Sequence, residues 1–190
     1  MKRAVAIFDF DGTLVRDDSL PAFVSCCVGW PRTVVAALVA GLLTLGASDR
    51  RTAFKAMWLK LTLRGFAVER LPAVLERLEP RLVWVEQSLM RLQWHKQRGD
   101  LIVIASGGLD VYLAHILRAY APDHFLCTAI EQVEGRLTGT MVGGNCVREE
   151  KARRVQELLH SLGAHGEVWA YGNLPHDLPM LRLATHQVIV

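Results

Sequence analysis

Cysteine is scarce in this sequence and poorly spaced for chemistry. The 190 residues hold four: Cys26, Cys27, Cys127 and Cys146. None stands in a Cys-x-x-Cys pair and no His-x-x-x-His pair accompanies them, which argues against a zinc site. Cys26 and Cys27 are neighbours, a poor arrangement for a structural disulfide, so a reducing, cytoplasmic setting is expected. A strong excess of one charge is lacking too. The formal net charge is +3, with no polybasic footprint, so no nucleic-acid partner is expected. No secretion signal is expected either, because the apolar run from Ala4 to Phe8 is short and meets Asp9 and Asp11 at once. Repeats and low-complexity tracts are absent.

What is present is a chain with 51% apolar residues, enough for one domain or one domain with an insert, and too apolar for disorder. Short apolar runs recur: Ala4 to Phe8, Leu101 to Ala105, Phe125 to Ile130, Glu167 to Tyr171 and Gln187 to Val190. Runs of this kind, closed by acidic or glycine residues, fit strands buried on both faces. Helix-like stretches lie between them at 109–119, 149–162 and 177–183. Alternating strands and helices predict an α/β fold, a Rossmann-like parallel sheet flanked by helices. The glycine-rich segment 132–147 is expected to form a hairpin or an irregular excursion.

No comparable strand occurs between Leu20 and Arg98, and the whole interval has helical character. The expected organisation is a core of residues 1–18 and 99–190 with an all-helical cap at 19–98. Inside the cap, Arg32 is the only charge from Ser19 to Ser48, and Val34 to Ala47 is apolar except for Thr44. A stretch of this length is expected as a buried cap helix, in preference to a lipid-facing helix or a span. The basic residues that follow, Arg50, Arg51, Lys55, Lys60 and Arg64, are expected on a solvated face, with anionic lipid headgroups as the other reading. Trp30 is a candidate interface anchor.

Chemistry concentrates at strand ends. Asp9-Phe10-Asp11-Gly12-Thr13 follows the first strand, where parallel sheets bind ligands. Two carboxylates that close favour a hard divalent cation, and Gly12 permits a sharp turn. Ser106-Gly107-Gly108 follows the second strand, where a hydroxyl and main-chain N–H groups suit an anion. Lys151 can meet a phosphate as a point charge, although spacing alone does not separate it from Arg148, Arg153 and Arg154. Gly172-Asn173-Leu174-Pro175-His176-Asp177 follows a later strand. Asn173 and Asp177 are candidate metal ligands there, Asp177 being alternatively a helix cap, and His176 is expected to face solvent or serve structure, with the entrance of the site as its other reading.

These four segments, in this order from Asp9 to Met180, resemble the haloacid dehalogenase-like hydrolase superfamily, in the branch that includes phosphoserine phosphatase. The stretch from Thr138 to Lys151 resembles the loop before that branch's motif lysine, which favours Lys151 over the arginines. The resemblance implies a Mg²⁺-dependent phosphatase. Asp9 would be the nucleophile that forms an aspartyl-phosphate, and Asp11 the acid and base. Ser106, Gly107 and Lys151 would hold the phosphoryl oxygens. Asp9, Asp11, Asn173 and Asp177 would hold Mg²⁺. The implied substrate is a small or amphipathic phosphomonoester. A lipid phosphate at the membrane surface, possible because the cap is so apolar, is the alternative, as is a decayed scaffold that only binds. Two departures stand out. Asn173 replaces the family's usual Asp after Gly172, and family members usually continue past the last strand, which here is expected at an unsupported edge.

Overall fold

A computed structural model describes residues 2–163 and 165–190. Its first strand, β1 (Val5–Phe8), leads into a helical stretch of α1 (Ser19–Val28), α2 (Trp30–Leu43), α3 (Arg50–Leu63), α4 (Leu71–Leu78) and α5 (Glu86–Arg98). The chain continues as β2 (Leu101–Leu109), α6 (Asp110–Ile116), β3 (His124–Val133), β4 (Arg136–Val142) and α7 (Arg148–Ser161). It closes with β5 (Val168–Gly172), α8 (Leu178–Leu181) and β6 (His186–Ile189).

The six strands form one sheet in the order β4-β3-β2-β1-β5-β6. All neighbours are parallel except β3 and β4, which form the hairpin expected over the glycine-rich segment. Strand β1 lies between β2 and β5, with Phe8 opposite both Ile104 and Tyr171. Chain order runs outward on one side of β1 and then jumps back across it, so the carboxyl end of β1 is a switch point where a ligand crevice opens. The edge strand β6 pairs with β5 over four residues.

All four residues of β1 are buried, and their alternation splits the core. Ala6 and Phe8 join Ile102, Ile104, Leu92, Tyr112 and Tyr171 on one face. Val5 and Ile7 join Val103, Val155, Leu159 and Met180 on the other. A sheet clad on both faces is why its strands appear as unbroken apolar runs.

Three expectations need correction. Strand β2 does not stop before Ser106 but runs through a register shift to Leu109, which is fully buried opposite Thr128. Helix α5 packs on the core sheet, although it falls inside the expected 19–98 cap. Its buried His95 shares a hydrogen bond of 2.9 Å with Tyr171 of β5 and one of 2.7 Å with Asp100. A histidine with both ring nitrogens satisfied by the core is tied to it, whatever its place in the chain.

The third correction concerns α2, which is not a buried helix. Only Thr33, Ala36 and Ala40 are buried, while Val35, Leu38, Leu42 and Leu43 are 60–70% exposed. Small residues face the neighbouring helices and large ones face outward. A bend of 118° separates α1 from α2 at Gly29, and among the described residues no single helix is long and apolar enough to cross a membrane.

The helical layer is fastened to the sheet at two places. Val85 and Arg16 donate main-chain hydrogen bonds to Leu14 and Val83. Gly65, Leu137 and Val68 make similar bonds between the end of α3 and the β3–β4 hairpin. Gly139 on β4 has φ +81°, and a Cβ there would stand 2.7 Å from the Cα of Lys60. Only glycine lets α3 lie this close.

Phe8 is fully buried, stacked on Tyr171 with ring centroids 4.3 Å apart. Phe8→Ala is expected to lower stability by about 3–5 kcal/mol, seen as a lower urea midpoint with an unchanged slope.

Candidate active site

The sheet delivers three of the expected residues to one point. Asp9 leaves the end of β1, Lys151 rises from the first turn of α7 and Asp177 precedes α8. The Lys151 ammonium donates to Asp9 Oδ1 and to Asp177 Oδ1, both at 2.6 Å. All three side chains are buried. The second oxygen of Asp9 accepts from the Thr13 hydroxyl at 3.1 Å, and that of Asp177 accepts from the Asn173 main-chain N–H at 3.0 Å. The Asp177 carboxylate thus serves the site and makes no helix-capping bond.

Asp11 sits on the same turn. Its Oδ1 accepts from the Ser19 N–H at 2.8 Å, and its main-chain oxygen accepts from the Asn173 amide at 3.1 Å. Gly12 brings these segments together. It has φ +76°, and a Cβ there would lie 2.1 Å from the Asn173 amide nitrogen. Any other residue would be strained and would push the fourth motif away from the first.

Burial governs the electrostatics. It pushes the Asp9 carboxyl up to about 6, with Lys151 opposing the rise. It pushes Asp11 up to about 7, helped by the nearby Asp18 carboxylate. Burial also disfavours the charge on Lys151, but Asp9 and Asp177 more than offset that and hold its ammonium above the usual lysine range. Two carboxylates sharing one ammonium leave a net negative pocket floor.

Asp9, Asp11, Gly107, Lys151, Asn173 and Asp177 all line one cavity of about 590 Å³. Ser106 does not line it. Ser106 is fully buried, and its Oγ accepts from the Gly108 N–H at 3.0 Å. The structure therefore brings six of the seven candidates to the cavity and turns the seventh inward. Of the neighbouring arginines, Arg148 also lines the cavity. Arg153 pairs with Glu150 and Glu157, and Arg154 bonds Glu150 and the carbonyl oxygens of Cys127 and Gly143.

Sequence reasoning missed two contributions from the helical layer, the side chains of Lys55 and Arg51. Lys55 of α3, expected on a solvated face, is buried. Its ammonium donates to the Gly107 carbonyl, to Asn145 Oδ1 at 2.7 Å and to the Thr128 hydroxyl at 3.2 Å. Burial pulls it down to about 8, although Asp18 and Asp11 act the other way. The signal was available: Lys55 stands three, four and seven residues before Trp58, Leu59 and Thr62, which all face inward. His176, for which the entrance of the site is the second reading, lines the cavity, and the Arg51 guanidinium of α3 stands 3.0 Å from its Nε2. No sequence spacing links positions 125 residues apart.

The donor chemistry fits a hard cation. The Asp9 carboxylate, the Asp11 main-chain oxygen and the Asp177 carboxylate present oxygen, and the Asn173 amide, whose nitrogen faces Asp11, carries one more on its other side. Among the described residues no group of three or more histidine, cysteine, aspartate or glutamate side chains could hold a metal. That is consistent, because two of these four donors are an amide and a main-chain carbonyl.

Residues 6–182 match the haloacid dehalogenase-like hydrolase family. The chain is 29% identical to Protein CicA of Caulobacter vibrioides over 185 residues, covering 93% of this chain and 81% of that protein. It is 26% identical to histidinol-phosphatase of Neisseria meningitidis serogroup C over 106 residues, 53% of this chain and 48% of that one. The crystal structure of phosphoserine phosphatase in apo form superposes with a TM-score of 0.69 at 19% identity, covering 96% of this chain and 84% of that one, a likeness of fold.

The carboxyl of Asp11 keeps its proton in the folded chain up to about 7, while an unfolded aspartate releases it near 3.8. Between those values the folded state binds more protons, so its stability falls as pH rises. Asp11→Asn, neutral throughout, is expected to melt several degrees above the wild type at about pH 8 in chelator, with the gap closing by about pH 4. Differential scanning calorimetry across that window checks the sign.

Proposed function

The chain belongs to the haloacid dehalogenase-like hydrolase family, and from that premise we propose that it hydrolyses phosphomonoesters through a phosphorylated aspartate. The observation that carries this reading is the Lys151 ammonium held between Asp9 and Asp177 at the end of β1, with Asp11 on the same turn.

Asp9 attacks phosphorus through a carboxylate oxygen and displaces the substrate alcohol. An aspartyl-phosphate forms as the bond from phosphorus to the ester oxygen breaks. Asp11 gives its proton to the departing oxygen. Its carboxyl, pushed up to about 7 by burial, is suited to hold that proton near neutral pH and then to take one from water. Water attacks the phosphorylated Asp9, the proton passes to Asp11, and inorganic phosphate leaves with both carboxyl groups restored. The Ser19 N–H holds Asp11 in place for both proton transfers. Dehalogenation would also use the Asp9 nucleophile but gives no task to Asp11.

Lys151 neutralises charge on the phosphoryl oxygens, and Gly107 lines the same wall. Charge stabilisation and positioning dominate such transfers. The Asp9 carboxylate, the Asp11 main-chain oxygen, Asn173 and Asp177 would hold Mg²⁺, which would supply further positive charge when bound. Asn173 contributes a neutral oxygen where the family usually has a carboxylate. Its amide nitrogen now faces the Asp11 oxygen, so coordination through Oδ1 requires the amide to turn over. Ser106 acts indirectly, by fixing the turn at Gly107 and Gly108.

Phosphate release from a panel of phosphomonoesters, with and without Mg²⁺, tests the reading. Asp9→Asn is expected to lose activity by a factor of about 10³ or more while still folding, seen as a cooperative melt whose midpoint shifts because a buried ion pair is altered. Retained turnover in that variant would overturn the assignment of the nucleophile. Asn173→Asp is expected to tighten Mg²⁺ binding by about tenfold, since it adds a charge directly at the cation. Isothermal titration of the metal gives that number independently of turnover.

A further inference from the structure

Helix α2 inverts the arrangement of an ordinary surface helix, which buries its large apolar residues and exposes polar ones. Its buried residues are Thr33, Ala36 and Ala40. Its outer side presents Val35, Leu38 and Leu42, spaced three and four residues apart on one stripe, and Leu43 and Leu45 extend the apolar surface past its end. An exposed stretch this apolar marks an interaction surface.

The two flanks of α2 say what it meets. Along one flank Trp30, Val34 and Ala37 form part of the wall of the cavity that holds Asp9. Along the other lies a groove of about 410 Å³ lined by Arg32, Met57, Lys60, Leu61 and Arg64. Three cations and no carboxylate line that groove. An apolar stripe bordered by cations matches a bilayer with anionic headgroups. A second copy docked about a two-fold axis would bring like charges together and crowd the cavity wall. The helix has 14 residues, roughly 21 Å at 1.5 Å each, which is short of the ~30 Å hydrocarbon layer. Its partner α1 is anchored in the core by Leu20, Phe23 and Val24, so α2 lies along a membrane surface without spanning it.

We propose that α2 docks on an anionic lipid bilayer and that the phosphomonoester entering the cavity is borne by a lipid of that bilayer. The docking stands on the surface of α2 alone, whereas the lipid substrate rests on the phosphatase reading above. The cavity has two parts that suit such a molecule. Lys151, Asp9 and Asp11 form a charged floor for the phosphate, and Trp30, Val34, Phe54 and Trp58 form an apolar wall reaching α2.

The test is co-sedimentation with vesicles of phosphatidylcholine alone or of an equal mixture with phosphatidylglycerol. Wild-type protein is expected to pellet with the mixed vesicles and to be released as salt rises. Leu38→Glu with Leu42→Glu, both at exposed sites, is expected to bind at least about tenfold more weakly with an unchanged melting profile. Folded wild-type protein that stays in the supernatant overturns the docking. So does a dimer, seen by light scattering, that the double variant dissolves. Initial rates then separate the two halves of the proposal. The double variant should lose about tenfold on phosphatidic acid in mixed vesicles while keeping turnover of a soluble aryl phosphate. Aryl phosphate turnover without turnover of vesicle-borne phosphatidic acid overturns the lipid substrate. Absence of both activities overturns the phosphatase reading and with it the lipid substrate, while sedimentation of Asp9→Asn, which needs no chemistry, still decides the docking.

Discussion

The buried ammonium of Lys151 between two buried carboxylates is the constraint from which the rest of the site follows. A lone charge at any of these three positions would carry a large desolvation penalty. The ammonium joins two carboxylates that would otherwise repel each other, and each group comes from a different part of the chain: the end of β1, the start of α7 and the segment after β5. The ion triad therefore acts as a clasp across the switch point of the sheet. It also aims Asp9, since one of its oxygens is held by Lys151 and the other by Thr13. The net negative charge that remains calls for a bound cation, the more so because an incoming phosphoryl group is itself anionic.

A second buried cation fastens the helical layer to this clasp. Lys55 crosses from α3 to the Gly107 carbonyl, Thr128 and Asn145, joining the end of β2, strand β3 and the loop before α7. Its hydrogen bonds satisfy the buried ammonium without cancelling its desolvation, and its location makes the shape of the cavity depend on how α3 is seated. Gly139, where only a hydrogen fits against Lys60, serves the same packing from the hairpin side. The helical layer is thus part of the site's wall as well as a cover over it.

The strands were legible because a sheet covered on both faces demands continuous apolar runs, and β1, β2 and β5 have them. The acidic turn after β1 and the Gly172 segment were legible because loops at the carboxyl ends of parallel strands collect ligand-binding groups. Ser106 was not placed by its sequence, because a hydroxyl beside two glycines fits an anion cradle and an internal turn equally well. Here the strand continues to Leu109, and the hydroxyl is taken up by Gly108. Helix α5 was grouped with the cap because helical periodicity does not say against what a face packs. The pairing of His95 with Asp100 and Tyr171 settles that in space.

Local sequence alone determined the α/β alternation, the two glycine-bearing turns and the residue types able to do phosphoryl chemistry, because these depend on backbone sterics and on burial along a short stretch. Only the tertiary structure decided that Lys151 joins Asp9 to Asp177, that Lys55 turns inward, and that α2 turns its leucines outward. Those outcomes depend on contacts between segments as many as 142 residues apart. The physical reason is that charge pairing and desolvation act through space, and their balance exists only once distant segments are brought together.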